Sequence, residues 1–277
     1  ELLENSPLPV SELKLLASQR SVGQRRSFRG QEIEVQEAVP EQFDDVDIAF
    51  FSAGGSVSKR LVPEAVRRGA VVIDNTSAFR MEEGVPLVVP EVNMDDAFNH
   101  QGIIANPNCS TIQMVTALKP LRDRYGLEKI IVSTYQAVSG AGQQAILELE
   151  EQSAQLLKGE PVEPRILPVR SAEKHYQIAF NAIPQIDVFQ DNGFTVEEMK
   201  MIRETQKIFH QPDLPVTATC VRIPVYYGHS EAVYVELGSE FSLDDVRQLL
   251  ADAPGVVLVD EPENQQYPMA VTASGRK

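Results

Sequence analysis

The sequence predicts an α/β protein of two domains, a doubly wound parallel sheet followed by an α+β domain. Short apolar strand-like runs alternate with helical runs as far as Asn108, which is the pattern of parallel strands joined by crossover helices. Beyond Cys109 the strands are longer, and this alternation ends. At 277 residues the chain is long enough to bury two cores. We therefore expect domains at residues 1–108 and 109–277.

The first domain is predicted to hold short strands separated by helices and turns. Glu12 to Ser18 is the first strand, and Asp47 to Phe51 is a continuous apolar run of the kind that is buried on both faces of a parallel sheet. A helix through Leu61 to Arg68 leads to a further strand at Val71 to Asp74. This order of elements is typical of a doubly wound domain.

A cluster of arginines follows the first strand, between Gln19 and Gly30. One interpretation is a solvated charge run, which is the usual fate of such clusters. In a net-acidic chain we favour a local anion site, because nucleotide-binding sheets select the ribose near this point and arginine accepts a 2′-phosphate. Ser18, Arg20 and Ser21 therefore indicate NADP rather than NAD. The clustered residues, expected to share one loop, are Arg20, Arg25, Arg26 and Arg29.

A glycine pair stands between a predicted strand and a predicted helix, in the run Ser52-Ala53-Gly54-Gly55-Ser56. Glycine at such a point lets the backbone approach a phosphate or a nicotinamide ring. Two glycines alone are a weak signal. Arg80, farther along the chain, is by itself interpreted as an ordinary surface arginine.

The most informative stretch surrounds the first of the two cysteines. Ile103 to Ala105 ends a buried strand, and Asn106 to Asn108 is a turn, because its proline restricts the preceding residue. A helix from Ser110 to about Leu118 follows, and Pro120 is expected to stop it. Cys109 then lies at the mouth of a helix, where the dipole and the unpaired N–H groups stabilise the nucleophilic thiolate. A small buried core thiol is the alternative.

The second domain begins with longer elements, including a strand at Lys129 to Gln136 and a helix at Gln143 to Lys158. The helix at Thr195 to Phe209 is the best marked, because its first residues form a capping box. Glu197 and Lys200 lie three positions apart on this helix. Without further context they form a surface ion pair worth about 0.2–0.5 kcal/mol.

A hairpin is predicted near the end of the chain, with Val216 to Tyr226 turning back into Glu231 to Leu237. Arg222 and His229 can approach each other across it, although a lone histidine in a turn is more often solvated than catalytic. Cys220, in the middle of a strand, is most simply a packed thiol. The last predicted elements are a helix at Leu243 to Ala251 and a strand at Val256 to Asp260.

Composition excludes several classes of function. A net charge of −15 argues against binding to nucleic acid or to an anionic membrane surface. No apolar run approaches the roughly 20 residues needed to span a bilayer. Two cysteines do not make a disulfide scaffold, so we expect a reducing, cytoplasmic location. With four histidines and no Cys/His cluster we expect no metal site.

Several segments together resemble one family, the aspartate-semialdehyde dehydrogenases. They occur in the family's order, the resemblance extends over essentially the whole chain, and it is closest to the bacterial branch. The segments are Phe51-Ser52-Ala53-Gly54-Gly55-Ser56, Ile73-Asp74-Asn75-Thr76-Ser77-Ala78-Phe79-Arg80, Val89-Pro90-Glu91-Val92-Asn93, Asn106-Pro107-Asn108-Cys109-Ser110-Thr111, Arg222-Ile223-Pro224-Val225 and Gly228-His229-Ser230-Glu231.

The resemblance implies a Rossmann-like NADP domain, a catalytic and dimerisation domain, and a homodimer. It implies interconversion of L-aspartate 4-semialdehyde, phosphate and NADP⁺ with L-4-aspartyl phosphate and NADPH through a cysteine thioester. This is a step of the aspartate pathway to lysine (through diaminopimelate), threonine, methionine and isoleucine.

The resemblance also implies roles for individual residues. Cys109 matches the nucleophile, His229 the acid/base residue, and Gln136 a residue that orients the reacting substrate. Arg222 matches the substrate carboxylate partner, and Glu197 the ammonium contact. Arg80, Asn108 and Lys200 match the phosphate pocket. The positions expected to contact the cofactor are Ser18, Arg20, Ser21, Ser52, Gly54, Gly55, Ser139 and Gly140.

Family members begin with a strand and a glycine-rich turn, and end with a segment returning to the cofactor domain. This sequence carries neither, so we expect a fragment that binds NADP poorly and has little or no activity. A related acyl-phosphate reductase of the N-acetyl-glutamyl-phosphate type, a cysteine hydrolase, and a non-catalytic paralogue that only dimerises are the alternatives. Glu197, Lys200 and Arg222 argue against the first, because an acetylated amine needs no carboxylate partner.

Overall fold

The computed structural model describes residues 2–275 as two compact units. The first unit comprises Glu1–Val88 and Asp95–Asn106, and the second comprises Val89–Met94 and Pro107–Lys277. The second unit resumes at Pro107, and the division into domains at residues 1–108 and 109–277 stays a prediction. Three residues that the predicted domains include lie outside the described part of the chain: Glu1, Arg276 and Lys277.

The described part of the first unit contains six strands and one α-helix. They are β1 (Leu15–Ala17), β2 (Arg25–Phe28), β3 (Gln31–Glu37), β4 (Ile48–Phe51), α1 (Gly55–Arg67), β5 (Val71–Asp74) and β6 (Ile103–Ala105). The described part of the second unit contains α2 (Pro90–Asn93), α3 (Cys109–Tyr125), β7 (Leu127–Gln136), α4 (Gln143–Leu157), α5 (Val196–Ile208), β8 (Val216–Arg222), β9 (Ser230–Leu237), α6 (Leu243–Asp252) and α7 (Ala270–Ala273). Short 3₁₀ helices lie at Leu3–Asn5, Gln19–Ser21, Pro40–Phe43, Met94–Asn99, Val138–Ala141 and Pro262–Asn264.

Two three-stranded sheets form the first unit. In one, the strand order is β1-β3-β2, with β1 parallel and β2 antiparallel to β3. In the other, β4, β5 and β6 are all parallel. The apolar face of α1 packs with residues of β4 and β5 in one core. Parallel strands joined by a helix confirm the predicted α/β class.

The prediction that Asp47 to Phe51 is buried on both faces is wrong. Phe51 is buried and stacks on Phe43, but Ile48 is 44% and Phe50 63% exposed. The side chains of β4 therefore alternate between core and solvent, as expected where a helix covers one face of a sheet.

The arginine cluster does not share one loop, as the sequence predicted. Arg25 and Arg26 lie in β2, which forms a hairpin with β3. Arg29 and Gly30 are its two turn residues and have positive φ angles of 47° and 79°, the backbone that a two-residue hairpin turn requires. The sequence did not predict strand β2, because an exposed edge strand needs no apolar face and most residues of β2 are polar.

The second unit is built around a central strand, β7. Strand β8 runs parallel to β7 on one side, and β9 runs antiparallel on the other. The predicted hairpin between β8 and β9 is therefore wrong, because both strands pair with β7 rather than with each other. Gln136 pairs with Arg222 and Tyr135 with Ser230, so both ladders end at the same end of β7.

Three other predictions concern the helices α3 and α5 and one further strand. α5 is confirmed, including its capping box between Thr195 and Glu198. The expected stop of α3 at Pro120 is wrong, because the helix continues to Tyr125. Leu121 and Tyr125 are buried, and their burial offsets the hydrogen bond that proline cannot make. The predicted strand at Val256 to Asp260 is not formed.

Candidate active site

Cys109 is the first residue of α3 and is accessible to solvent. The preceding Asn108 caps the helix, with its Oδ1 accepting the backbone N–H groups of Ser110 at 3.0 Å and Thr111 at 3.3 Å. A strand, a turn and a capped helix therefore present the thiol at a helix N-terminus, as the sequence predicted.

The expectation that this position stabilises the thiolate is not met. Surrounding protein desolvates the sulfur although the residue stays accessible, and this burial raises the pKa of the Cys109 thiol. The negative charge of Glu197 raises that pKa further, while the N–H of Ser110 acts in the opposite direction. The thiol therefore rests mainly in its protonated form at neutral pH.

Glu197 is the polar centre of the site and is only 5% exposed. Its Oε1 accepts Nδ2 of Asn108 at 3.0 Å and Nε2 of Gln136 at 3.3 Å, and its Oε2 accepts Nζ of Lys200 at 3.1 Å. Burial opposes ionisation, but the Lys200 charge and these hydrogen bonds outweigh it and lower the pKa of Glu197. The interpretation of Glu197 and Lys200 as a surface ion pair is therefore wrong.

Gln136 ends the central strand and is 1% exposed. Besides its contact to Glu197, its Nε2 donates to Oγ of Ser110 at 2.8 Å. The amide of Gln136 thus ties the first turn of α3 to the buried carboxylate.

Arg222 and His229 converge on the backbone of one residue, Ala137. Nη1 of Arg222 donates to the Ala137 carbonyl at 2.7 Å, and the Ala137 N–H donates to Nδ1 of His229 at 3.0 Å. A Cβ placed on Gly140 would lie 3.0 Å from Arg222 Nη1 and 3.3 Å from His229 Cε1. The two side chains therefore meet as expected, although they flank β7 instead of facing each other across a hairpin.

The protonation states of these two side chains follow from their surroundings. Burial lowers the pKa of Arg222, which nevertheless stays a cation. Burial, and then the Arg222 charge, lower the pKa of His229, so its imidazole is neutral at pH 7. Because Nδ1 of His229 accepts the Ala137 N–H, the neutral ring carries its proton on Nε2. Among the described residues, Nε of Arg222 has no hydrogen-bond partner.

The sequence did not single out three contributors to this site. They are the Ser110 hydroxyl, the backbone N–H and carbonyl of Ala137, and Glu204, whose Oε2 accepts the Asn108 N–H at 2.6 Å. Only Glu204 carried a signal, because it follows Glu197 by seven positions and so shares its helix face. A residue that acts through its backbone, such as Ala137, leaves no signal in side-chain chemistry.

The residues expected to bind the cofactor lie in both units. In the first, Ser18 and Arg20 are exposed after β1, and Ser21 ends the 3₁₀ turn there. Ser52 accepts Nδ2 of Asn75 at 3.2 Å. Gly54 precedes α1 with φ of 98°, and Gly55 begins that helix. In the second unit, Ser139 and Gly140 lie in the 3₁₀ helix after β7.

Arg80 differs from its interpretation as a surface residue. It belongs to the first unit, is 8% exposed, and donates from Nη2 to the carbonyl of Asn75 at 3.0 Å.

Cys220, in contrast, is fully buried as expected, and burial raises its pKa to about 12. Among residues 2–275, no helix is long and apolar enough to cross a bilayer.

Comparisons with known proteins agree over the whole chain. The family model described as semialdehyde dehydrogenase, NAD binding domain, matches residues 1–100, and the one described as semialdehyde dehydrogenase, dimerisation domain, matches residues 118–277. The aspartate-semialdehyde dehydrogenase of Bacillus subtilis (strain 168) is 62% identical over 275 residues, which are 99% of this chain and 80% of that protein.

Solved structures give the same result. The Vibrio cholerae aspartate semialdehyde dehydrogenase II complexed with ASA has a TM-score of 0.91 and 48% identity, with 100% of this chain and 80% of that chain covered. The Candida albicans aspartate semialdehyde dehydrogenase with NADP has a TM-score of 0.66 and 26% identity, with 91% and 71% covered. The predicted fold class, a Rossmann-like α/β domain with an α+β dimerisation domain, is confirmed.

Proposed function

The chain belongs to the aspartate-semialdehyde dehydrogenase family and is an oxidoreductase of that kind, and from this we infer its reaction. We propose that it converts L-aspartate 4-semialdehyde, phosphate and NADP⁺ to L-4-aspartyl phosphate and NADPH. In biosynthesis it catalyses the reverse reaction. One observation carries this proposal: an accessible thiol lies beside a buried carboxylate and a buried guanidinium. An amino-acid aldehyde needs all three. The pathway we propose is the one to lysine, threonine, methionine and isoleucine.

The substrate is held by opposite charges at its two ends. Arg222 binds the carboxylate through the guanidinium edge that includes Nε, which has no partner in residues 2–275, since a planar fork suits a carboxylate. Glu197 is ionised and binds the ammonium group. Its carboxylate favours a free ammonium over an acetylated amine, so nothing in the described site favours the N-acetyl-glutamyl-phosphate reaction.

The reaction proceeds through a covalent bond to sulfur. The accessible Cys109 thiol gives its proton to water, its sulfur attacks the aldehyde carbon to form a C–S bond, and the resulting alkoxide oxygen accepts a hydrogen bond from Nε2 of His229. Bound NADP⁺ would supply the hydride acceptor for this carbon, and Cys109 would then hold the acyl group as a thioester. Phosphate then attacks the carbonyl, the C–S bond breaks, and the thiolate leaves. Gln136 orients the first turn of α3 during these steps.

We propose that phosphate is bound by Asn108 and Lys200 of the second unit, and that Arg80 of the first unit is a further phosphate-binding residue. Lys200 is half-buried and already contacts Glu197, so its charge is directed towards the substrate site. Asn108 contributes mainly as the helix cap, since its Oδ1 and Nδ2 both have protein partners.

The first unit fits a dinucleotide. Gly54 has a φ of 98° at the N-terminus of α1, and a Cβ placed on it would meet no atom of the described residues within 4 Å, so the backbone there is open to a phosphate. NADP is proposed over NAD because Arg20, next to Ser18 and Ser21, follows the end of β1, and the sequence from Lys14 to Gln31 holds no acidic residue to bind the ribose 2′-hydroxyl. We also propose a homodimer.

The test follows absorbance at 340 nm with the complete gene product that carries this sequence. We expect NADP reduction only when aspartate semialdehyde and phosphate are both present, and slower reduction of NAD. Cys109→Ala should lower kcat by at least about 10³-fold, whereas Cys220→Ala, which alters a buried thiol outside the site, should not. Full activity of Cys109→Ala, or activity independent of phosphate, would overturn the proposal.

A further inference from the structure

Asn108 is bound through every polar group that it has. Its Oδ1 caps α3, its Nδ2 donates to Glu197, and its carbonyl accepts the first helical hydrogen bond from Ile112 at 2.9 Å. The remaining group is its backbone N–H, which donates to Oε2 of Glu204 at 2.6 Å. Asn108, which precedes the nucleophile, is therefore held both by hydrogen bonds to its own helix and by hydrogen bonds to Glu197 and Glu204.

Glu204 reaches this position from a rigid element. It is 1% exposed and lies on α5, on the same helix face as Glu197. The N-terminus of α5 is closed by its capping box, and Oε1 of Glu198 accepts the backbone N–H of Cys220, in β8, at 3.1 Å. Helix α5 is thus anchored to the sheet that carries Arg222.

We propose that Glu204 is a positioning residue that fixes the Asn108 turn and thereby sets the place of the Cys109 sulfur relative to Arg222 and His229. The inference rests on the proposed function only in taking Cys109 as the nucleophile. A buried carboxylate is a strong acceptor for a backbone N–H, and it cannot leave without exposing an unpaired donor. Glu204 does not touch the substrate in this scheme.

Loss of Glu204 should change the reactivity of the Cys109 thiol by displacing the N-terminus of α3. Without its acceptor, the Asn108 N–H is left unpaired in the interior, and the turn relaxes towards water. The Ser110 N–H, which lowers the pKa of Cys109, then loses its alignment with the sulfur. Displacement of a reacting group by about 1 Å is enough to cost on the order of 10²-fold in rate.

The experiment compares Glu204→Ala with Glu204→Gln, which retains a carbonyl acceptor at the same length. The matched control is Glu148→Ala, because Glu148 is another buried carboxylate that accepts backbone N–H groups, those of Arg165 and Ile166, away from the site. Three quantities are measured: the melting temperature, the alkylation rate of Cys109 by iodoacetamide against pH, and kcat with KM. Cys109→Ser supplies the background of the alkylation assay.

For Glu204→Ala we expect alkylation at pH 8 to slow about 10-fold, its pH profile to shift upward, and kcat to fall about 10²-fold while KM changes less than about 3-fold. Glu204→Gln and Glu148→Ala should alkylate within about 2-fold of the wild type. Should Glu204→Ala not fold, Glu204→Asp, whose acceptor is withdrawn by one methylene, is expected to show the same changes to a smaller degree.

Wild-type alkylation and kcat in Glu204→Ala, or in Glu204→Asp if only that variant folds, would overturn the proposal. Equal slowing in Glu148→Ala would also overturn it, since general destabilisation would then be the cause. Equal slowing in Glu204→Gln would overturn the hydrogen-bond argument, because the charge would then be what matters. Failure of the proposed function is separate, because it leaves alkylation of the wild type intact while no NADPH is formed.

Discussion

Substitution of Arg222 tests both the proposed binding of the substrate carboxylate and the effect of the Arg222 charge on the pKa of His229. Arg222 gives one N–H to the Ala137 carbonyl, and its buried Nε has no partner among the described residues, so we expect the substrate carboxylate to pair with the edge of the guanidinium that carries Nε. Each charge-assisted hydrogen bond on that edge contributes about 2 kcal/mol. Arg222→Gln removes two of them, about 4 kcal/mol, and should lower kcat/KM by roughly 10³-fold. Arg222→Lys keeps the charge and one contact, and should lower it by roughly 30-fold.

The same substitution should alter the pH dependence. Burial is the larger cause of the lowered pKa of His229, and the Arg222 charge is the second. Arg222→Gln removes that charge, so the pKa of His229 rises and the acid limb of kcat/KM moves to higher pH. Arg222→Lys should leave the limb in place. The measurement is kcat/KM for the semialdehyde between pH 5 and 9, by NADPH absorbance.

The matched control is Arg165→Gln, because Arg165 is an exposed arginine paired with Glu151 outside the site. It should keep wild-type kinetics. Losses below about 3-fold in both Arg222 variants, or an acid limb that moves to lower pH in Arg222→Gln, would refute the reasoning about this side chain.

Three further predictions follow from the second unit. Gly140→Ala should lower kcat/KM about 10-fold with little change in melting temperature, because its Cβ would lie 3.0 Å from Arg222 Nη1; unchanged kinetics would contradict the crowding described. Burial raises the pKa of Glu231 to about 8, so its stabilising effect is present at low pH and is lost as pH rises towards 8. Glu231→Gln should therefore raise the free energy of unfolding in urea more at pH 9 than at pH 4. An equal change at both pH values would contradict the raised pKa of Glu231. Thr195→Ala removes the cap of α5 and should lower the unfolding free energy by about 1 kcal/mol, measured by urea denaturation; no loss would mean that the cap is replaced.

The sequence predicted elements best where local chemistry decides. The capping box fixed the start of α5, and the strand at Val71 to Asp74 was placed at its observed bounds, because an apolar run between turn signals has few alternatives. The sequence failed where tertiary contacts decide. Pro120 stays within α3 because later residues of that helix are buried, and β8 and β9 separate because β7 pairs with both.

The site divides in the same way. Residue type and position made Cys109 a candidate, and the family resemblance added Arg222 and His229. Neither predicted the protonation of the thiol, which depends on desolvation and on the charge of Glu197. Ala137 had no sequence signal, because it contributes only backbone groups. The contacts of Arg222 and His229 with the Ala137 backbone form only when the strands assemble into the sheet, and no sequence motif encodes them.

The backbone of Ala137 has a consequence for how this enzyme can change. Its carbonyl anchors the guanidinium and its N–H anchors the imidazole, and the residue is fully buried. These two groups belong to the consecutive peptide planes that meet at the Cα of Ala137, so a shift of this one residue displaces both side chains together. On the roles that we propose for Arg222 and His229, selection for a longer or shorter substrate cannot change the recognition of the acid group without also moving the hydrogen-bond donor to the reacting oxygen.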